Sequence, residues 1–303
     1  MKKIIIPVLI IALLFFNACK SAKEANIEKA KKIAVSQVYL DGMEYLLNGN
    51  YSSARDYFEV IIDNATNTEY FPYAKLAYAD ALFFDISKGP IEALPEYQSF
   101  IVYFPKHPET PYAQFMVAMC YFIQINGPDR DQTYVDQAMA EFEKLKATYP
   151  DSKYAKMVDK YIDYCWLMKA QHEYLVGVFY YKVKGYKAAA ARLRGLIENF
   201  DEKYYDKEKA YYYFARSLMY ETKFDEAARY FRKLLKEFPN TIYRDAVKEQ
   251  LDYIESGRAE KELIERKKKI EEKYKKEMEK RIKKAKGKKK KKEKKEEEKT
   301  EDK

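Results

Sequence analysis

Apolar residues recur at spacings of three and four along most of this chain, a period typical of α-helices. One motif within that pattern occurs five times: a turn residue, an alanine three positions later, and a larger apolar residue four positions beyond the alanine. The five copies are Tyr51-Ala54-Phe58, Pro90-Ala93-Tyr97, Val135-Ala138-Phe142, Tyr186-Ala189-Leu193 and Phe224-Ala227-Phe231. Such internal repetition indicates a chain built from stacked units of one kind.

Each copy is predicted to be the second helix of a helical hairpin. The alanine is small because two helices cross there, and the larger residue one turn later fills the space between hairpins. The first helix needs a small residue at the same crossing, and the residues at that place are Gly42, Ala81, Cys120, Gly177 and Ala215. The sequence therefore predicts an all-α fold, a tetratricopeptide-like helical-repeat solenoid of five helical hairpins.

Two features interrupt the repetition. A polar loop, Gly127 to Thr133, is inserted inside the third hairpin, and Ser152 to Lys184 reads as long helical structure that connects repeats three and four. We therefore expect N-terminal repeats 1–3 at residues 34–151, followed by a linker helix with repeats 4–5 at residues 152–255.

The sequence changes character after Tyr253. Lysine and glutamate dominate residues 256–303, where a thin apolar seam recurs every four residues: Ile270, Tyr274, Met278 and Ile282. This pattern predicts a long solvated helix, and the composition beyond Gly287 predicts disorder. Three uses of this tail stay open: plain solvation, binding of anionic lipid head groups or lipopolysaccharide, and binding of an acidic partner.

The N-terminus has the pattern of a signal peptide. Lys2 and Lys3 precede an apolar run from Ile4 to Phe16, whose thirteen residues span about 20 Å as a helix. That length is well short of the roughly 30 Å hydrocarbon core, so residues 1–18 are interpreted as a cleaved signal peptide. Cys19 follows the small residue Ala18, which resembles a lipobox, so we expect lipidation (palmitate among the acyl chains) at Cys19 and a tether at residues 19–33. The alternative is an ordinary secretory signal with a chance cysteine.

The formal net charge of +9 is confined to the tail. Residues 256–303 carry 23 Lys/Arg against 13 Asp/Glu, a net of +10, which leaves −1 for residues 1–255. The repeats therefore do not have the charge of a nucleic-acid-binding domain, and no nucleic-acid partner is expected.

The residues that catalysis or metal binding requires are not grouped in this sequence. The two histidines lack neighbours at ligand spacing, and no serine–histidine–aspartate set, paired-carboxylate motif or phosphate loop occurs. We predict no metal, no cofactor and no enzymatic activity. Cys120 and Cys165 lie in helical apolar patterns and are expected to be buried thiols, although an oxidising compartment would permit a disulfide.

Three local segments make the chain resemble the BamD family, the lipoprotein subunits of the β-barrel assembly machinery of the Gram-negative outer membrane. Asp129-Arg130-Asp131-Gln132-Thr133 is similar to the family's insertion in the third repeat. His172 to Tyr181 resembles the entry to the fourth repeat, and Gly185-Tyr186 to Arg192 with Gly195 resembles the helix that follows. The Lys-rich tail is not part of that pattern.

The resemblance implies a scaffold on the periplasmic side of the outer membrane, held there by its lipid. Partners so implied are the barrel-forming subunit (BamA-like), other assembly lipoproteins and unfolded outer-membrane proteins. Arg192 matches an arginine that contacts an acidic residue of the barrel-forming subunit, and Tyr186 lies in the same matching helix. Because its planar guanidinium can form two parallel hydrogen bonds, arginine suits a carboxylate. For the loop Arg130, Asp131, Gln132 and Thr133 we expect local salt bridging that orders the insertion.

Repeat geometry places some first-helix side chains on a concave groove. The candidates are Tyr39, Met43, Tyr78, Leu82, Val117 and Tyr121. A groove of aromatic and flexible side chains is suited to an unfolded, apolar β-strand segment. Two other functions stay open, a helical-repeat lipoprotein that binds glycans or nutrients and a generic cell-envelope adaptor. The single tryptophan and short connections argue against the first.

Overall fold

The computed structural model describes residues 23–31 and 33–301, with side chains through Lys284. The predicted signal peptide and Cys19 lie outside these residues. Every regular element within them is helical, which confirms the predicted fold class. The helices are α1 (23–30), α2 (Val35–Leu47), α3 (Tyr51–Asn64), α4 (Tyr70–Phe84), α5 (Pro90–Tyr103), α6 (Thr110–Phe122), α7 (Thr133–Thr148), α8 (Asp159–Lys182), α9 (Tyr186–Asn199), α10 (Lys207–Tyr220), α11 (Phe224–Glu237), α12 (Arg244–Glu255) and α13 (Arg258–Glu301), with a short 3-10 turn at Glu202–Tyr204.

The five motif alanines are all fully buried at the positions where the hairpins were predicted. They lie in α3, α5, α7, α9 and α11, the second helices of the five hairpins. The larger residue one turn later is also fully buried in every copy: Phe58, Tyr97, Phe142, Leu193 and Phe231. The repeated pattern therefore marks the hairpin cores.

Glycine at two of the first-helix crossings is required by close packing. A Cβ atom on Gly42 would lie 2.7 Å from Cε1 of Phe58, and one on Gly177 would lie 2.7 Å from Cγ of Leu193. Both distances are shorter than real side chains tolerate, and both neighbours are buried residues of the repeated motif. The first and second helices thus meet at the predicted small residue.

Three of the hairpins share one turn geometry. Gly49, Lys184 and Thr222 have positive φ angles of 74°, 63° and 59° and follow α2, α8 and α10. In each case the next amide donates to the carbonyl five residues before it, which closes the helix end. Glycine adopts this conformation without strain, whereas a residue with a side chain does so at a cost of about 1 kcal/mol.

The chain divides into two compact units, the first ending at His172 and the second beginning at Glu173. This division lies inside α8, whereas the sequence analysis placed the boundary at residue 152. Residues 151–158 form turns, so the helix predicted from Ser152 begins instead at Asp159. The first half of α8 therefore completes the first unit: Cys165 and Met168 are buried in one cluster with Val135, Ala138 and Phe142 of α7.

Residues 23–30 form a helix that packs on the first repeat, in a segment interpreted as a tether. Ala30 is buried in the core of that repeat. Asn26 donates to Asp56 over 3.2 Å, and Lys23 pairs with Glu59 at 2.9 Å. The repeat structure thus extends to within four residues of Cys19.

The tail is a helix from Arg258 to Glu301, including the segment beyond Gly287 for which we predicted disorder. Lysine and glutamate are good helix formers, so a composition that cannot build a core still supports a helix here. Ile270, Tyr274, Met278 and Ile282 are exposed, as expected for a solvated seam.

A carboxylate inside the first unit is held by two tyrosines. Tyr97 and Tyr112 donate their hydroxyls to Oδ1 of Asp80 over 2.5 and 2.8 Å. Burial raises the pKa of Asp80 and the two hydrogen bonds oppose that rise. The pair of hydroxyls thereby links α4, α5 and α6 around one charge.

Replacing Gly177 by alanine should destabilise the second unit. Overpacking typically costs about 1–3 kcal/mol, which exceeds the gain in helix propensity of about 1 kcal/mol. The matched control is Gly195→Ala in α9, where the nearest atom to an added Cβ is 3.9 Å away. That control should raise the unfolding free energy by about 0.5–1 kcal/mol. Urea unfolding followed by circular dichroism measures both, and equal effects would contradict close packing at Gly177.

Replacing Tyr97 by phenylalanine should lower the unfolding free energy by about 1.5–3 kcal/mol, the usual value of a hydrogen bond to a charged group. The folded-state pKa of Asp80 lies above its unfolded value, so Asp80 ionises first in the unfolded chain. The free energy of unfolding therefore falls as pH rises between the two pKa values. The deficit of Tyr97→Phe should therefore be largest at neutral pH and shrink at pH values below the folded-state pKa. Tyr103→Phe, at a side chain that is 70% exposed, is the control. A similar loss there would refute the assignment.

Candidate protein-binding surfaces

The insertion loop between α6 and α7 is shaped by hydrogen bonds rather than by the predicted salt bridging. Oδ1 of Asp131 accepts from the amide and hydroxyl of Thr133 over 2.7 and 2.6 Å. These bonds lower the pKa of Asp131. Gln132 donates to the Arg130 carbonyl over 2.8 Å. The ion pair in the loop joins the exposed neighbours Arg130 and Asp129 at 3.6 Å, and a pair so exposed orders little.

The loop is also bound to α8. Nδ1 of His172 lies 2.8 Å from the carbonyl oxygen of Pro128, a hydrogen bond in which the ring nitrogen donates. His172 is the first residue of the second family-like segment, and Pro128 directly precedes the first, so this hydrogen bond joins two positions of the first unit. His172 therefore has a structural partner, and its imidazole positions the insertion.

Arg192 lies on α9 and faces α8. Its Nη1 is 2.8 Å from Oε1 of Glu173, and the Arg192 side chain is 47% exposed. Arg194, two positions on, instead pairs with Glu226 at 2.7 Å and covers the ring of Phe214. The two arginines therefore face different neighbours, as helical geometry predicts. Arg192 is at the surface, while Arg194 joins α9 to the next hairpin.

Tyr186 belongs to a group of aromatic side chains in the second unit. Its ring stacks on Tyr220 with 4.0 Å between centroids, and Tyr212 stacks on Tyr243 at 3.9 Å. Tyr181 contacts Tyr186, Tyr213 and Tyr220. We call this group the tyrosine cluster; its members are Tyr181, Tyr186, Tyr212, Tyr213, Tyr220 and Tyr243.

Arg216, which the sequence analysis did not single out, lies in the tyrosine cluster. Its Nη2 donates to the hydroxyl of Tyr220 over 2.9 Å, and its Nη1 lies 3.4 Å from that of Tyr212. The spacing in the sequence could have identified this arginine, because Tyr212 and Tyr220 lie four residues before and after Arg216 and so share its helix face.

Two of the groove candidates are buried, which corrects the prediction for them. Leu82 is 6% exposed and Val117 is 1% exposed, because both pack in the core cluster that joins α4, α5 and α6. The others are half-buried: Tyr39, Met43, Tyr78 and Tyr121. Burial raises the pKa of Tyr39, Tyr78 and Tyr121, so their hydroxyls stay protonated at neutral pH. These four present partly apolar surface on first helices of the first unit.

The thiols of Cys120 and Cys165 are free and buried, as predicted. Burial raises the pKa of each to about 12, which keeps the unreactive thiol form at neutral pH. Within the described residues, no group of three His, Cys, Asp or Glu side chains could hold a metal. The same part of the chain contains no helix long and apolar enough to cross a bilayer.

Comparison with known proteins assigns the family. The family described as "Outer membrane lipoprotein" (YfiO) matches residues 31–219, and a tetratricopeptide repeat matches residues 209–241. "Outer membrane protein assembly factor BamD" of Rickettsia prowazekii (strain Madrid E) is 29% identical over 79% of this chain and 92% of that protein.

Two further relatives have similar names. The protein of that name from Caulobacter vibrioides is 30% identical over 54% of this chain and 53% of its own length. The "Putative outer membrane protein assembly factor BamD" of Aquifex aeolicus is 26% identical over 90% of this chain and 85% of that protein. The YfiO match covers more than half of the chain, and this protein therefore belongs to the outer membrane lipoprotein family.

Proposed function

We propose that this protein is a lipid-anchored scaffold subunit for the assembly of β-barrel proteins in the outer membrane, without catalytic activity of its own. The observation that carries the proposal is Arg192, an exposed arginine on the surface formed by α8 and α9. It lies in the segments that resemble BamD, and relatives over most of the chain are named as outer membrane protein assembly factors.

The second unit is the proposed attachment site for the barrel-forming subunit. Arg192 already has a carboxylate partner in Glu173, so a partner's carboxylate must replace or share it. Exposed ion pairs contribute only about 0–1 kcal/mol, so this exchange costs little. Tyr186, held by its stack on Tyr220, supplies a rigid aromatic surface at the N-terminal end of the same helix.

The first unit is the proposed site for unfolded barrel proteins. Tyr39, Met43, Tyr78 and Tyr121 are half-buried, which fixes their orientation while leaving apolar surface accessible. Aromatic and methionine side chains accept varied apolar sequences because they adapt their contacts without needing particular hydrogen bonds.

Acylation of Cys19 is the proposed link to the membrane, with the repeats on its periplasmic side. Three residues separate Cys19 from the start of the helix at residue 23, so the two Cα atoms can be at most about 14 Å apart. The docking of that helix on α3 through Asn26 and Lys23 would keep the first repeat near the lipid surface.

Replacing Arg192 by alanine should weaken binding of the barrel-forming subunit at least tenfold, because binding buries this arginine, and truncating one partner of a buried, hydrogen-bonded charge pair typically costs about 2–5 kcal/mol. Replacing Glu173 by glutamine should strengthen binding about two- to fivefold, since it removes the internal competitor. Arg232→Ala is the control: Arg232 has a similar exposed pair with Glu255 at 2.7 Å in the same unit. Pull-down from solubilised outer membranes measures all three. Full binding by Arg192→Ala, or an equal loss with Arg232→Ala, would reject this attachment site.

Replacing Tyr78 and Tyr121 together by alanine should lower the affinity for a barrel-protein C-terminal peptide about tenfold, since aromatic anchors commonly contribute more than 1 kcal/mol each. Tyr103→Ala, at an exposed side chain of α5, should leave the affinity unchanged. Fluorescence anisotropy with a labelled peptide gives the dissociation constants, and circular dichroism verifies the fold. Unchanged affinity in a folded double variant would exclude these tyrosines from client binding.

A further inference from the structure

The guanidinium of Arg216 is held between two tyrosine hydroxyls on its own helix. Tyr220 accepts from Nη2 over 2.9 Å and Tyr212 accepts from Nη1 over 3.4 Å. The guanidinium carbon also lies 5.5 and 5.8 Å from the ring centroids of these tyrosines, within cation–π range. The side chain is therefore fixed in one place by neutral partners.

Arg216 has no carboxylate partner among the described residues, although other arginines of the second unit do. Arg192, Arg194 and Arg232 pair with Glu173, Glu226 and Glu255. Burial raises the pKa of Tyr181, so the hydroxyl of this nearby tyrosine supplies no negative charge at neutral pH. The side chains that the structure describes in the second unit therefore supply no ion pair to Arg216.

Hydrogen bonding of Arg216 is also incomplete. Of the five N–H donors of a guanidinium, two go to the tyrosine hydroxyls, and Nε is buried without an acceptor. A buried donor without a partner lowers the free energy of unfolding by about 1–3 kcal/mol, so this packing is not the most stable one for the fold. By count, one N–H on each Nη nitrogen has no acceptor among these hydrogen bonds.

The side chains around Arg216 favour a ligand that carries a negative charge next to apolar groups. Tyr220 stacks on Tyr186, and Tyr212 stacks on Tyr243, which places two pairs of rings beside the guanidinium. Tyr220 is 45% exposed, and Arg216 itself is partly exposed. A single guanidinium balances one carboxylate, whereas a phosphate carries nearly two negative charges at pH 7. A guanidinium can also direct two parallel N–H groups at the two oxygens of a carboxylate.

We infer that Arg216 and the tyrosine cluster form a docking site for a carboxylate on an aromatic-flanked segment of a partner protein. The carboxylate comes from an acidic side chain or from the C-terminus of that segment. The site goes beyond the proposed function, since it involves neither Arg192 nor the groove of the first unit. The stacked tyrosine rings contact the flanking apolar residues, and the two N–H groups of Arg216 that have no acceptor bind the carboxylate oxygens.

Three peptides with fluorescent labels test this site on the mature chain. They are acetyl-Ala-Phe-Glu-Phe-Ala-amide, the same peptide with Gln for Glu, and the Gln peptide with a free C-terminus. We expect the Glu peptide or the free acid to bind at least fivefold more tightly than the Gln amide, and the stronger of the two identifies the source of the carboxylate. Equal affinities for all three peptides would overturn the inference.

Variants separate this site from general charge attraction. Arg216→Lys keeps the charge but loses the planar pair of donors, and should reduce the preference for the carboxylate to less than twofold. Tyr220→Phe removes a surface hydroxyl that orients Arg216, and it should reduce the preference for the carboxylate partially. This variant provides a test if Arg216→Lys does not fold. Arg232→Lys should retain the full preference. A retained preference in Arg216→Lys, or in a folded Tyr220→Phe if the lysine variant does not fold, would overturn the assignment.

Discussion

The close approach of two helices at a small side chain is the contact on which each hairpin depends. At Gly42 and Gly177 the space that a single Cβ atom would need is already occupied by Phe58 and Leu193. A larger residue there would push the helices apart and leave the buried residue one turn later without its contacts. The small residues at the other three crossings, Ala81, Cys120 and Ala215, are also fully buried. The orientation of another side chain on the same helix follows from its distance along the helix from the crossing.

This dependence explains which parts of the structure could be predicted. The motif alanines and the larger residues after them are set by spacing within one helix, and their burial followed from the sequence. Leu82 and Val117 were assigned to the groove because only the geometry of a single hairpin was considered; the cluster that α4, α5 and α6 form across two repeats buries them. The helix beyond Gly287 was missed because disorder was predicted from composition. Composition indicates whether a core can form, but it says less about local helix propensity.

Tyrosine has three different roles in this chain, and its abundance alone could not separate them. Tyr97 and Tyr112 donate to a carboxylate inside the first unit. Tyr186 and Tyr243 stack on other rings, while Tyr212 and Tyr220 accept from an arginine. The partner decides the role, and, except for Arg216 on the helix of Tyr212 and Tyr220, the partner comes from another part of the chain. Only the four-residue spacing around Arg216 was visible in the sequence.

Binding of a carboxylate to Arg192 and binding to Arg216 differ in their energetics. A ligand of Arg192 displaces Glu173, so the net gain is the difference between two similar ion pairs, and selectivity must come from the shape of the surrounding surface. A ligand of Arg216 displaces no carboxylate of the described side chains, and it adds an ion pair that this arginine otherwise lacks among them. Since charge-assisted hydrogen bonds strengthen where water is excluded, the second arrangement gains more from the carboxylate itself. Exchange of one carboxylate for another at Arg192 permits reversible attachment. Arg216, which lies between stacked rings without an ion pair among the described side chains, favours recognition of the ligand's charge.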